Sequence, residues 1–104
     1  MTFDDFVYKV VGWAAARGIM QHSTPQAQLL KAVSEMGELA DAEIKSDNAG
    51  RIDAVGDVLV CLINYCAMHN IHPTTCLEAA WDQIKDRKGR MVPGGAFVKE
   101  PANA

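Results

Sequence analysis

The stretch that decides the fold is residues 54–68, AVGDVLVCLINYCAM, in which Asp57 is the one charged side chain. At about 100° per residue, its apolar side chains cover much of a helix circumference, so the stretch predicts a helix buried on most sides. A polar loop before Arg51 and a Pro-containing break after Met68 set the expected ends of this helix.

Three further helices are expected around this one, at about 3–17, 25–45 and 75–88. Thr24 followed by Pro25 is typical of a helix start, and Gly89 of a helix end. The Pro-Gly-Gly turn of the tail 89–104 predicts a small hairpin or arm. The predicted fold class is therefore all-α, a four-helix antiparallel bundle in a single domain 1–104.

Composition narrows the function classes. The chain has 104 residues, 49% apolar and 22% charged, which is typical of one globular domain. A net charge of −3 argues against a general nucleic-acid binder. No apolar run is long enough to span a membrane, and two Asp stand where a signal peptide needs positive charge. Together with three cysteines that form no C-x-x-C pair, expected to be reduced core thiols, this predicts a cytoplasmic protein.

Acidic side chains on two of the helices suggest a metal site. Glu35 and Glu38 are three residues apart and share a helix face, while Asp57 lies in the buried helix. A buried carboxylate must be paired or hold a cation, since a bare buried charge is costly. Gly37 and Gly56 suggest close approach of the two helices beside these acids. Pooled carboxylates without matching cations favour a hard cation, with Mg²⁺ the default where the substrate carries phosphates.

Structural alternatives remain open at this point. In the structural alternative, Asp53 serves only the helix dipole and Asp57 only a Lys or Arg partner, although both share a strip of the helix with Asn64. In the same alternative, Glu35 and Glu38 lie on the solvated face of an ordinary amphipathic helix. The apolar stripe of that helix lies roughly opposite and consists of Leu29, Val33, Met36, Ala40 and Ile44.

The same residues resemble a known family. E35-x-x-E38 within LLKAVSEMGELADAEIK, followed by Asp57 within IDAVGDVLVCLINYC, is similar to the signature of the MazG-type all-α nucleoside triphosphate pyrophosphohydrolases. The segment EAAWDQIKDRKGRM near the end also resembles the short bacterial and phage members, so the resemblance covers nearly the whole chain. It implies Mg²⁺-dependent hydrolysis of a nucleoside triphosphate to the monophosphate and pyrophosphate, with Mn²⁺ as a possible substitute metal.

The resemblance also implies the site residues. Glu35, Glu38 and Asp57 match metal-ligand positions, and Glu35 or Glu38 is the candidate to take a proton from the attacking water. The family pattern has Glu where this chain has Ala54, and Asp53, one residue earlier, is the expected stand-in on the same helix face. The number of metal ions is left open by this departure.

Substrate contacts are expected from several further residues. Lys31 shares the face of Glu35, and Lys85 and Lys88 lie three apart at the predicted end of the last helix, where cations also suit the helix dipole. These lysines are candidate phosphate contacts. Gln28 and Trp13 are candidate base contacts through hydrogen bonding and stacking, although Trp13 could equally be a core residue.

The apolar helix expected at 51–68 needs more apolar cover than three neighbours supply, which predicts a homodimer or homotetramer with the site near a subunit interface. The rival functional hypothesis is a non-catalytic helical interaction module, including a degenerate relative of the family. A second enzymatic hypothesis is pyrophosphohydrolysis of another nucleotide such as phosphoribosyl-ATP. Binding of Mg²⁺ separates enzyme from module, and a substrate screen separates the two enzymes.

Overall fold

The structure, a computed structural model, describes residues 1–101. Its elements are α1 (Phe3–Ala16), α2 (Ile19–His22), α3 (Pro25–Ile44), α4 (Asn48–Met68), α5 (Pro73–Ile84), β1 (Gly89–Met91) and β2 (Phe97–Lys99). The all-α prediction is confirmed, as is the small hairpin. The single-turn helix α2 was not predicted, because four residues carry no periodicity. The end of the predicted tail, 102–104, lies outside the described residues.

Side-chain caps set the starts of the long helices. Thr2 accepts a hydrogen bond from the Asp5 N–H and Thr24 accepts one from the Ala27 N–H, so two predicted starts are confirmed. The predicted start of α4 at Arg51 is wrong. Asp47 caps this helix because its Oδ1 accepts a hydrogen bond from the Gly50 N–H at 3.0 Å, so the helix begins at Asn48, three residues earlier than predicted.

The predicted end of α5 at Lys88 is also wrong. The Lys85 N–H still bonds to the Trp81 carbonyl at 2.9 Å, but the Arg87 N–H bonds to Ile84, three residues back, at 2.9 Å. This tighter turn ends the helix at Ile84, before the cluster of basic residues.

The chain divides into two compact units, Met1–Thr74 and a second that begins at Thr75. The single domain expected from the sequence stays a prediction. In the first unit, α3 and α4 pack along their length and α1 packs on α4. The two long helices are antiparallel: a Cβ on Gly50 would lie 3.1 Å from Ala42 at one end, while Pro25 and Ala67 line one cavity at the other.

The interior of the first unit is built largely from small side chains. The buried residues of this unit are Val7, Ala14, Ala32, Glu35, Ala42, Ala54, Cys61, Ile63, Asn64 and Cys66. Alanines at the contact between α3 and α4, which we call the seam, let the two backbones approach closely.

Large apolar residues lie outside instead. On α4, Leu59 is 41% and Ile52 70% exposed, so the prediction that this helix is buried on most sides is wrong for the chain alone. On α3, Val33 is 69% and Ile44 82% exposed, so the predicted apolar stripe also faces outward. The physical reason is that α3 and α4 meet through their small and polar side chains, which leaves the bulky ones uncovered.

The second unit contains most of α5 and the hairpin. In the hairpin, Arg90 pairs with Val98 and Met91 with Phe97, and Gly94 and Gly95 adopt the positive φ values that the turn requires. Cys76 of α5 is an exposed thiol, which corrects its assignment to the core.

No single helix within residues 1–101 is both long and apolar enough to cross a membrane, although α4 and α5 taken together would pass on length and composition alone.

Candidate metal site

Three carboxylates converge at the middle of the seam. One oxygen from each of Glu35, Glu38 and Asp57 lies within 4.8 Å of the other two. Glu35 is only 6% exposed, Asp57 is half-buried and Glu38 is exposed. Carboxylate oxygens supplied by two helices around an accessible point are a donor set suited to a hard divalent cation.

The helical spacing explains how the side chains meet. The three-residue separation of Glu35 and Glu38 puts both on the side of α3 that faces α4. Ala54 of α4, 4% exposed, lies at the same level of the seam and leaves room for the acids. Glu35 is therefore turned into the seam while Glu38 stays exposed at its edge, so the alternative of a fully solvated acidic face holds for Glu38 but not for Glu35.

Only one cation contacts this cluster among the described residues. Lys31 Nζ lies 3.3 Å from Glu35 Oε1, one turn away on α3, and the Lys31 side chain is 62% exposed. The other oxygen, Glu35 Oε2, is buried and accepts no hydrogen bond within residues 1–101. Three close carboxylates facing one exposed ammonium carry excess negative charge, which a divalent cation would neutralise.

The pKa values in the cluster move in opposite directions. Hydrogen bonding with Glu35 and the charge of that neighbour raise the pKa of Glu38. Burial, and then the charges of Asp53 and Glu35, raise the pKa of Asp57. The pKa of Glu35 is lowered first by the hydrogen bond that Glu38 donates to it when Glu38 is protonated, and then by Lys31. The cluster therefore holds a proton more tightly than separate carboxylates would, as expected where like charges meet.

The fourth expected ligand is placed differently. Asp53 is exposed and stands outside the group of three, although its charge acts on Asp57 and it lines a surface cavity of about 260 Å³ together with Glu38 and Asp41. The structure thus brings together three of the four predicted ligands and leaves Asp53 nearby at the rim.

The two glycines do not mark a close approach. A Cβ on Gly37 or Gly56 would meet nothing within 4 Å, because both face away from the seam, so that expectation is wrong. The close approach of α3 and α4 falls instead at Gly50, where a Cβ would lie 3.1 Å from the Ala42 Cβ.

The expected nucleotide contacts are scattered. Gln28 is half-buried on the seam side of α3, and its Nε2 donates to Ser23 Oγ at 3.0 Å. Trp13 is 47% exposed and stacks under the Arg17 guanidinium at 5.6 Å, so the alternative of a core position does not hold for the chain alone.

The two lysines of the second unit lie outside regular helix. Lys85 pairs with Asp82 at 3.4 Å, and Lys88 follows the end of α5. They do not share a helix face as predicted, because the helix ends before them.

Two seam residues were missed as site candidates. Cys61 is a buried free thiol whose pKa is raised by burial and then by the charge of Glu35. Asn64 is 2% exposed, and its Oδ1 has no hydrogen-bond partner among the described residues. The available signal was the strip of α4 that both share with Asp57, at spacings of four and seven residues.

Comparison with known proteins supports the fold. No protein-family model matches the chain. A cyanophage S-2L MazG-like pyrophosphohydrolase, solved with dGDP and three catalytic Mn²⁺ ions per active site, is similar over 98% of this chain and 96% of that chain, with a TM-score of 0.74 and 22% identity. The chain therefore has the fold of a MazG-like pyrophosphohydrolase, as its sequence predicted.

One phage protein matches the chain in sequence over part of its length. An uncharacterised 18.2 kDa protein of Haemophilus phage HP1 is 32% identical over 59 residues, which are 57% of this chain and 36% of that protein. The chain thus matches little more than a third of that phage protein's length.

Proposed function

We propose that the chain is a metal-dependent nucleoside triphosphate pyrophosphohydrolase. The observation that carries this proposal is the convergence of Glu35, Glu38 and Asp57 from two helices, with a buried carboxylate oxygen that nothing in the described chain satisfies. A non-catalytic helical module has no need of such an arrangement, since uncompensated carboxylates destabilise a fold.

The residues present fit a divalent cation. Glu35, Glu38 and Asp57 would hold it, and Asp53 at the rim would act as the fourth carboxylate in place of the Glu absent at Ala54. An all-oxygen donor set favours Mg²⁺, with Mn²⁺ as a substitute. The structural neighbour from cyanophage S-2L contains Mn²⁺, which is compatible with the same donor set.

The proposed reaction is the one that the resemblance to the MazG-type enzymes implies. Water adds to the α-phosphorus, the bond from that phosphorus to the oxygen bridging the β-phosphorus breaks, and pyrophosphate leaves with that oxygen. A bound divalent cation supplies charge neutralisation at the phosphate oxygens and a lowered pKa for water. Glu35 or Glu38, whichever is less engaged as a ligand, accepts the proton of the attacking water.

The chain's cations and polar groups would orient the nucleotide. Lys31, beside Glu35, contributes positive charge for the phosphates, and Lys85 and Lys88 are further candidates from the second unit. Gln28, two turns from Glu35 on the same helix, and the exposed Trp13 are candidates to contact the base.

We further propose that the working form is a homodimer or homotetramer. Val33 and Met36 on α3, at 69% and 53% exposed, and Leu59 on α4, at 41%, leave more large apolar surface uncovered than a stable monomer usually shows. A second copy of the same chain would cover these faces. A cytoplasmic location and the absence of nucleic-acid or membrane partners remain part of the proposal, supported by the net charge of −3 and the free thiols of Cys61 and Cys76.

The test is a screen of ribo- and deoxyribonucleoside triphosphates and phosphoribosyl-ATP, with pyrophosphate and monophosphate both quantified, in Mg²⁺, in Mn²⁺ and in chelator. We expect equimolar monophosphate and pyrophosphate that depend on the metal. Release of orthophosphate with a diphosphate product would contradict the reaction. Failure to turn over any nucleotide, together with no binding of Mg²⁺ or Mn²⁺ by calorimetry, would favour the interaction module.

A further inference from the structure

The seam continues beyond the three carboxylates toward the start of α3. Since α3 and α4 are antiparallel, with Glu35 across from Asp57, two helical turns in this direction bring Gln28 across from Asn64. Gln28 and Asn64 make this far end of the seam polar, and neither belongs to the carboxylate cluster.

Asn64 is the most deeply buried large side chain of the described chain, and its carboxamide oxygen has no hydrogen-bond partner there. Gln28 is the closest amide by register, but its Nε2 donates to Ser23 Oγ at 3.0 Å. Buried polar groups in native proteins nearly always find a partner. The Asn64 acceptor, across the seam from an amide that is engaged elsewhere, is therefore open to a donor from outside the chain.

The position of Asn64 fits the nucleoside part of a nucleotide. Asn64 follows Asp57 by seven residues, which is about 10 Å along the helix axis. With its phosphates at the carboxylates, a nucleotide lying along the seam would bring its sugar and base to this end.

A cavity of about 510 Å³ opens at the same end of the seam. Its lining consists of Val11, Met20, Ser23, Pro25, Ala67 and Met68. An apolar lining with one hydroxyl and this volume suits a small planar ligand. Ala67 and Met68 stand three and four residues after Asn64, on the same side of α4, and Ser23 is the acceptor for Gln28.

We propose that Asn64 is a specificity-determining residue, whose carboxamide oxygen accepts a hydrogen bond from the nucleoside of the substrate after Gln28 moves aside. The donor is a sugar hydroxyl or a base N–H, and the two are separated by the test. This inference rests on the proposed function, because it takes a nucleoside triphosphate as the occupant of the seam.

The test compares substrate preferences of wild type and Asn64→Leu, a substitution of similar size that removes the acceptor without leaving a buried polar group. One series varies the sugar on a fixed base (ribose, 2′-deoxy, 3′-deoxy), and the other varies the base on a fixed sugar. We expect a preference in one series to shrink by about 10-fold or more, through KM rather than kcat, since losing a recognition hydrogen bond is worth about this much. Ile63→Leu, a swap at the neighbouring buried position, should leave both series unchanged.

Preferences that stay within about twofold of wild type in both series would overturn the proposal. If Asn64→Leu shows no turnover, calorimetric binding of the α,β-methylene analogues of the same two series, in Mn²⁺, is judged by the same ratios. If Asn64→Leu does not fold, Asn64→Ala, which also removes the acceptor, is put through both series, and preferences within about twofold of wild type there overturn the proposal. Failure of the proposed function is seen separately, as a wild-type protein that releases no pyrophosphate.

Discussion

The two sides of α3 differ in a way that reverses the usual amphipathic helix. The side that meets α4 carries alanines and the nearly buried Glu35, whereas the outward side carries Val33 and Ile44, at 69% and 82% exposed. Hydrophobic burial alone would turn this helix the other way round. The comparison teaches that the inward side of α3 carries the carboxylates, and the proposed self-association would cover the apolar side chains of the outward side.

Removing one carboxylate from the inward side should have the largest effect. Glu38→Gln keeps the size of the side chain but deletes a ligand charge, and we expect pyrophosphate release to fall by about 1000-fold, since a bound metal contributes several kcal/mol to transition-state stabilisation. The fold should persist, as followed by circular dichroism. Glu43→Gln is the matched control, because Glu43 is exposed and pairs with Arg51 at 2.7 Å, away from the cluster. Equal activity of Glu38→Gln and wild type would show that Glu38 is not part of the metal site.

Adding a charge to the outward side tests the other half of the comparison. Val33→Asp should weaken self-association by about 100-fold or more, because a charge buried without a partner at an interface costs several kcal/mol. Sedimentation equilibrium of wild type, Val33→Asp and the control Ser46→Asp measures this directly. Ser46 is exposed at the end of α3 and should tolerate the same charge. A wild-type protein that sediments as an 11.3 kDa monomer at micromolar concentration would contradict the proposed assembly.

The link between site and stability is tested at Asp57. Metal binding at 100-fold excess over Kd should stabilise wild type by about 2.7 kcal/mol, or roughly 10–20 °C in Tm for a domain of this size. Asp57→Asn should raise the Tm of the metal-free protein by a few degrees, since it removes repulsion, and should abolish most of the metal-induced shift.

The structural alternative predicts a different outcome for these melts. If Asp57 served to pair a buried cation, Asp57→Asn would destabilise the protein with and without metal. Among the described residues no such cation pairs with Asp57, since Lys31 contacts Glu35 instead. A destabilised variant, together with no metal shift in wild type, would therefore overturn the metal site.

The rim position of Asp53 predicts a smaller effect. Asp53→Ala should lower activity by about 10-fold, in the range found for groups that act on a metal site from its outer shell. Ala54→Glu in that background should restore part of the loss, because Ala54 lies at the seam beside Glu38. Full activity of Asp53→Ala would show that Asp53 has no role at the metal site.

The sequence predicted the helices and the inward acids because both depend on local spacing. Thr24-Pro25 set one helix start, and the three-residue interval of Glu35 and Glu38 set their common face. The outward exposure of Val33 could not be predicted, because periodicity identifies an apolar face without saying whether its cover comes from the same chain. The open acceptor of Asn64 is likewise a property of packing across the seam rather than of any motif.

The smallest expected effect is the pH dependence of stability. The pKa values of Glu38 and Asp57 are raised, so between their ordinary and raised values the folded chain binds protons that the unfolded chain has released. The metal-free protein should therefore gain stability as the pH falls from neutral toward the ordinary carboxyl range, and the Tm is compared at two pH values, one neutral and one mildly acid. The pKa values of Glu35 and Glu43 are lowered, so the stability that these two contribute is lost only at more acid pH. Saturating Mg²⁺ should reverse the trend above pH 5, because protons then compete with the metal for the same carboxylates. Thermal melts at both pH values, with Mg²⁺ and with chelator, measure this reversal. If the Tm changes with pH in the same way in Mg²⁺ and in chelator, the carboxylates with raised pKa values are not the ones that bind the metal.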